Sequence, residues 1–271
     1  MYQTHHSGPI GVFDSGVGGL TVARAIHAKM PLEDIIYFGD TLHLPYGEKS
    51  SDAIKRYSLA ITKFLMEQNA KTIVVACNSA SANAYQTLVD TFPNVEIINV
   101  IDPVTKYCEL NGFSSIGVIG TKATIGSATY QRILSTNLNQ PKVIAKATPL
   151  LASMIEEGFI NGPVAQSVLN AYLHNDPVGQ TEAFILGCTH YPLLEDEIKP
   201  LLHPNNHIVN TPKIVAEWIH ASLKQKELLT KSESRTGKTR FYLSDLTQSF
   251  VKQAELFFGE KLDINEVRLP D

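Results

Sequence analysis

The spacing of apolar and polar positions along the chain falls into two alternating periods. Short, β-branched apolar runs stand at Ile10–Phe13, Ile35–Phe38, Ile73–Ala76, Val95–Val100, Ile116–Ile119, Val143–Ala145, Phe184–Leu186 and Phe241–Leu243. Between them lie segments with helical spacing, at Leu20–Met30, Ser51–Gln68, Ala80–Val89, Gly126–Leu138, Ala165–Leu173 and Ile214–Leu223. A run that is apolar at every position has to be buried on both faces, and a parallel sheet covered by helices buries it that way. The pattern predicts an α/β fold with mostly parallel sheets, and more strands than one small doubly wound sheet usually holds. No linker rich in Pro, Gly or Ser and no short repeat interrupts it. The polar stretch Lys224–Lys238 is the expected mobile connection.

Composition narrows the class. A chain of 271 residues can bury a sizeable core and accommodates two domains. The formal net charge of -4, with acids and bases interspersed, gives no electrostatic reason to expect a nucleic-acid partner. No stretch approaches the roughly 18–20 apolar residues that cross a bilayer, so no membrane partner is expected. The opening "MYQTHHSGPIGVFD" lacks the basic and apolar regions of a secretory signal. Three cysteines argue against a disulfide framework and for a reducing compartment. The expectation is a soluble cytoplasmic protein.

In open parallel sheets ligands bind beyond the carboxyl ends of the strands. Four apolar runs end there in chemistry: Asp14-Ser15-Gly16, Gly39-Asp40-Thr41, Cys77-Asn78-Ser79 and Cys188-Thr189-His190. Singly, each has a plain structural reading. A free cysteine often behaves as a small buried hydrophobe, and Asp14 or Ser79 fits a helix N-cap. The pair of cysteines is harder to dismiss. Both follow a strand, both precede small polar residues able to start a helix, and a thiol at a helix N-terminus gains thiolate character. Metal binding is disfavoured, because no CxxC occurs and the histidines are scattered. A redox dithiol more often occupies one local motif. Two acid/base thiols facing one pocket need tuning groups, and Asp14 and His190 are of the right type. The glycines of "DSGVGGL" offer backbone amides to an anion, although an ordinary strand-to-helix turn fits them equally well, and the spacing is not that of a dinucleotide site.

Six stretches, in order, resemble the glutamate racemases of the aspartate/glutamate racemase superfamily: "GVFDSGVGGLTV", "YFGDTLHLPYGEKS", "VVACNSASA", "GVIGTKATI", "PLLASMIEEG" and "LGCTHYPLL". The resemblance spans nearly the whole chain. It implies two doubly wound α/β domains related by pseudo-twofold symmetry, residues 8–100 plus 213–271 and residues 101–212, with the active site between them. It implies cofactor-independent, metal-free racemisation of glutamate for peptidoglycan synthesis. By that resemblance, Cys77 is expected to take the α-proton of D-glutamate and Cys188 that of L-glutamate, assisted by Asp14 and His190. Implied substrate contacts are Asp14, Ser15, Asn78, Ser79, Thr121, Thr124 and Thr189. Pro45-Tyr46-Gly47 implies a loop closing on the side-chain carboxylate, and Glu156 stands near the ammonium.

The chain departs from the family pattern at three places. Ser79 replaces the usual threonine, Thr148 stands where cysteine is common, and Asp102 where glutamate is frequent. Cys108, in a helix-like stretch, reads as structural. Family members commonly form homodimers, so a homodimer is expected. The few residues before "PIGVFD" imply no dependence on activation by a cell-wall precursor. Two alternatives stay open: a racemase of aspartate or another amino acid, and a two-domain small-ligand binder without catalysis.

Overall fold

The computed structural model describes residues 8–136, 140–231 and 236–270. Its strands are β1 (Ile10–Asp14), β2 (Ile35–Gly39), β3 (Thr72–Val75), β4 (Glu96–Asn99), β5 (Ser115–Gly120), β6 (Lys142–Ala147), β7 (Ala183–Gly187), β8 (His207–Val209), β9 (Thr239–Leu243) and β10 (Ile264–Glu266). Its helices are α1 (Leu20–Lys29), α2 (Ser51–Glu67), α3 (Asn78–Thr91), α4 (Ile101–Asn111), α5 (Lys122–Gly126), α6 (Thr129–Ser135), α7 (Pro149–Glu156), α8 (Gly162–Leu173), α9 (Glu195–Ile198), α10 (Thr211–Gln225) and α11 (Gln248–Phe258).

Two sheets result, with strand orders β10-β9-β2-β1-β3-β4 and β6-β5-β7-β8, and every pairing is parallel. The run β2-β1-β3-β4 of the first sheet and all four strands of the second share one order, second-first-third-fourth in chain sequence. Each sheet therefore changes direction of winding beside its first strand, at β1/β3 and at β5/β7, which is where a doubly wound sheet opens a crevice.

Alternation along the strands shows why each sheet is covered twice. Ile10, Val12, Ile35, Tyr37 and Val74 pack with Leu20, Ile26, Ile219 and Phe257 of α1, α10 and α11. Phe13, Ile36, Phe38, Ile73 and Val75 face the other way, onto Ile54, Ile61, Leu65 and Leu88 of α2 and α3. In the second sheet Phe184 and Leu186 meet α7 and α8, whereas Ile116, Val118 and Ile185 meet Val104, Cys108 and Tyr130 of α4 and α6. Cys108 is a free thiol sunk in that apolar layer, and burial pushes it up to about 12. One apolar cluster runs through residues of both sheets, so the two halves share a core.

Several elements differ from the sequence expectation. The helix expected over Gly126–Leu138 is only α6, because α5 ends at Gly126 and Ala128 takes the left-handed conformation at φ 53° between the two; Leu138 lies outside the described residues. The stretch expected to be a mobile connection begins as the last turn of α10. Leu228 is then buried, and its carbonyl accepts from the buried Lys71 at 2.7 Å. Lys71 also meets Glu33 at 2.5 Å, and Glu33 accepts from the Thr230 amide and hydroxyl, so this part is anchored; residues 232–235 lie outside the described residues.

Candidate active site

Asp14, the last residue of β1, is fully buried. Its Oδ2 accepts from the amides of Gly16 at 3.1 Å and Gly19 at 3.0 Å. The amides that the sequence offered to an outside anion are thus partly taken by the chain's own carboxylate. Burial raises the Asp14 carboxyl above its usual range, and the nearby His190 and the loop amides oppose that rise. The loop also brings the two halves into contact. A Cβ on Gly18 falls 2.5 Å from His190 Nδ1 and 2.6 Å from Thr189 Oγ1, so no side chain fits there.

Cys77 follows β3 and is the N-cap residue of α3. That position was expected to favour thiolate, yet the thiol is pushed up to about 12. Burial is the larger cause and the charge of Asp14 adds to it; bonds to Ser15 and the Ala80 amide only partly offset them. Cys77 is accordingly a thiol, its Sγ 3.5 Å from Ser15 Oγ.

Cys188 follows β7 and leads into a turn rather than a helix: a 3₁₀ segment, Tyr191–Leu194, begins three residues later. His190 Nδ1 lies 3.6 Å from its Sγ. On the other side of the ring, Nε2 stands 3.0 Å from Glu156 Oε1, an ion pair off the ideal hydrogen-bond direction. Burial pulls the imidazole down, but the bonds and charges of Cys188 and Glu156 outweigh it, so His190 is held well above its ordinary value and carries the proton. Phe257 of α11 meets the same ring edge-on, centroid to centroid 5.2 Å, and Gln253 of α11 donates to the Glu156 carbonyl at 2.5 Å.

One pocket is lined by both cysteines, one from each crevice, and by Ser15, Pro45, Tyr46, Gly47, Asn78, Ser79, Thr121, Glu156, Thr189 and His190. Asp14 and Thr124 stand just behind it. Thr189 Oγ1 reaches Asp14 Oδ1 at 3.5 Å, and Ser79 Oγ bonds Thr121 at 2.9 Å and Thr124 at 3.3 Å. The structure therefore brings together every site residue the sequence singled out. The hydroxyl of Ser79 makes these bonds without the methyl of the usual threonine. Asp102 is elsewhere, bonded to Asn99 at the start of α4, and Thr148 is buried against the Tyr191 hydroxyl at 2.8 Å.

The Pro45-Tyr46-Gly47 turn is held from behind. Tyr46 donates to Asp40 at 2.5 Å, and Asp40 also accepts from Ser244 at 2.8 Å. Gly47 lies so close to Thr121 that a Cβ falls 2.7 Å from the threonine Cβ. Two lining residues, Leu44 and Ala152, were missed by the sequence reading, since apolar side chains carry no chemical signature. Among the described residues no lysine or arginine lines the pocket, which leaves the His190 cation, hydroxyls and amides to meet negative charge. Among the described residues no cluster of three or more His, Cys, Asp or Glu has the geometry to hold a metal, and no helix is long and apolar enough to cross a membrane.

Comparison with known proteins adds a second line of evidence. The Asp/Glu/hydantoin racemase family model matches residues 20–218. The chain is 38% identical to a glutamate racemase of Syntrophus aciditrophicus over 255 residues, 94% of each chain. Its structure is similar to that of the Francisella tularensis glutamate racemase in complex with D-glutamate, with a TM-score of 0.90 and 33% identity over 97% of this chain and 98% of that one. A glutamate racemase of Bacillus anthracis gives a TM-score of 0.92 at 33% identity, covering 98% and 99%.

Proposed function

We propose, from the premise that this chain belongs to the Asp/Glu/hydantoin racemase family and is an amino-acid racemase, that it interconverts L- and D-glutamate by passing the α-proton between two thiols. The observation that carries the reading is the pair of cysteines, one from the crevice of each sheet, lining one pocket in opposite electrostatic settings. Cys77 faces the buried carboxylate of Asp14 and holds its proton. Cys188 has the protonated His190 at 3.6 Å, so its thiolate form finds a counter-charge there.

This pairing gives the chemistry a starting state. The Cys188 thiolate removes the α-proton from one face of the substrate, as the family resemblance assigns for L-glutamate. The Cys77 thiol then returns a proton to the opposite face, which inverts the centre and leaves the two thiols exchanged. The α-proton is weakly acidic, so the carbanionic transition state needs stabilisation by fixed dipoles in a pocket with little water. Among the described residues no lysine lines the pocket to form a Schiff base, and we assign a cofactor-independent reaction. The hydroxyls of Ser15, Ser79, Thr121 and Thr189 and the amide of Asn78 are assigned to the substrate's charged groups, with Thr124 behind them, Glu156 at the ammonium and the Pro45-Tyr46-Gly47 turn at the side-chain carboxylate.

The domain division at residues 8–100 plus 213–271 against 101–212 is proposed with this reading, since the strands of each sheet fall on one side of it. A cytoplasmic homodimer that supplies D-glutamate for peptidoglycan completes the proposal.

Proton exchange followed by NMR in deuterated water, without added cofactor, tests it. L-glutamate, D-glutamate and L-aspartate are offered separately to wild type, Cys77→Ala and Cys188→Ala. Loss of the α-proton signal with inversion of both glutamate enantiomers, in the wild type alone, is the expected result. Exchange confined to aspartate moves the substrate assignment, and inversion by either alanine variant removes the two-thiol mechanism.

A further inference from the structure

Asn78 opens α3 at the pocket wall and is 3% exposed. The two ends of its carboxamide are treated differently. Oδ1 accepts a hydrogen bond from the Tyr130 hydroxyl at 2.7 Å, in a fully buried contact. Among the described residues nothing accepts from Nδ2. Tyr130 is 1% exposed and belongs to α6, which covers the second sheet, so this bond links the two halves of the molecule.

Donor and acceptor accounting fixes which way the amide faces. A phenol has one hydrogen to give, an amide oxygen has none, and an amide nitrogen has two. With Oδ1 toward Tyr130, the buried hydroxyl hydrogen is satisfied. With the amide reversed, that hydrogen loses its only described acceptor and a carbonyl oxygen faces the pocket instead. The observed arrangement leaves both N–H groups of Nδ2 without an acceptor among the described residues, at the wall of the pocket that Asn78 lines.

We infer that Tyr130 is a positioning residue for racemisation: its hydroxyl locks the Asn78 carboxamide so that the site presents N–H donors to a substrate carboxylate. The inference rests on reading the pocket as a glutamate racemase site. It gains weight there because no lysine or arginine among the described residues lines the pocket, which leaves neutral donors to do much of the anion binding. Tyr130 acts only through Asn78, and only when the two halves are together.

A double-mutant cycle tests this on steady-state racemisation of both glutamate enantiomers, with Tyr130→Phe, Asn78→Ala and the double variant. Tyr130→Phe raises KM about tenfold for each enantiomer, within what a hydrogen bond to a charged group is worth. Its kcat falls by no more than roughly threefold, the mark of lost binding rather than lost transition-state contact. In the Asn78→Ala background the same substitution has no further effect. A KM unchanged in Tyr130→Phe, or an effect that persists in full without Asn78, overturns the assignment.

Asn78→Asp provides a check that does not depend on the folding of Tyr130→Phe. Tyr130 still donates to one oxygen, the shape is preserved, and an oxygen replaces Nδ2, so binding of glutamate falls steeply; unchanged binding refutes the inference. Thermal stabilisation by added D-glutamate separates the two readings. If the wild type is stabilised but does not racemise, the cycle is read on that affinity and only the racemase reading fails. If D-glutamate neither reacts nor stabilises, both fail.

Discussion

Glu156→Gln isolates the charge that keeps His190 protonated. The carboxylate lies 3.0 Å from Nε2 and is 18% exposed, so solvent screens it little. Glutamine keeps the shape and removes the charge. A charge-assisted contact of this kind is worth about 1.5–3 kcal/mol. Its loss lowers the His190 pKa, because the negative charge that favours the imidazolium is gone. Burial, the largest single influence on the ring, already acts in that direction. The ring then gives up its proton, and with it the positive charge beside Cys188, at a lower pH than in the wild type.

The assay is kcat/KM for racemisation against pH, run from each enantiomer. L- and D-glutamate have equal free energies in water, so the two kcat/KM values have to move together; a divergence signals an artefact. The alkaline limb moves to lower pH and the acid limb stays in place. Stability carries the same sign. A histidine whose folded pKa is raised contributes stability that is complete below its unfolded value and disappears as pH rises through the folded one. The Tm gap between wild type and Glu156→Gln is therefore widest near pH 6 and closes on the alkaline side. An alkaline limb that does not move, with the Tm gap independent of pH, refutes the charge argument.

Further predictions address the rest of the molecule. Gly18→Ala places a methyl 2.5 Å from His190 Nδ1, and displacing that ring lowers kcat/KM by about 100-fold; activity within a factor of two of wild type contradicts the close approach. Asp14→Asn removes the second-largest of the influences that push Cys77 up to about 12, so its iodoacetamide modification at fixed alkaline pH, followed by peptide mass spectrometry, quickens by about tenfold. A slower or unchanged rate rules out the Asp14 charge as a cause of the rise. Lys71→Met strands the buried Glu33 carboxylate and costs about 3–5 kcal/mol, read from the urea midpoint. Because Lys71 precedes β3, at the opposite end of the strand from Cys77, kcat is unchanged; a fall in kcat shows that the damage spreads to the pocket.

The sequence pattern was most informative where burial is symmetric. Strands such as Ile35–Gly39 and Ala183–Gly187 are covered on both faces, so they read as unbroken apolar runs. The strands His207–Val209 and Ile264–Glu266 are three residues long, sit at sheet edges and are partly exposed, and they leave no such run. Helix α11 went unread although Ala254, Phe257 and Phe258 are buried, because its polar positions resemble a surface segment. That omission hid Phe257 and Gln253 behind His190 and Glu156. The reactive side chains were legible because thiols, an imidazole and hydroxyls at strand ends have few structural reasons to gather. Their protonation was not: the N-cap position of Cys77 argued for thiolate, and only its burial beside Asp14 reverses that.

A polypeptide of L-residues cannot contain a mirror plane, yet the two directions of the proposed reaction present the protein with mirror-image substrates. Rotation is the nearest symmetry operation open to such a chain. The strand order shared by the two sheets supplies like crevices, each delivering a cysteine to the common pocket. Imperfection in that likeness is useful as well. Asp14 beside one cysteine and the protonated His190 beside the other place opposite charges at the two ends of the pocket, so the two mirror-related approaches are not electrostatically alike.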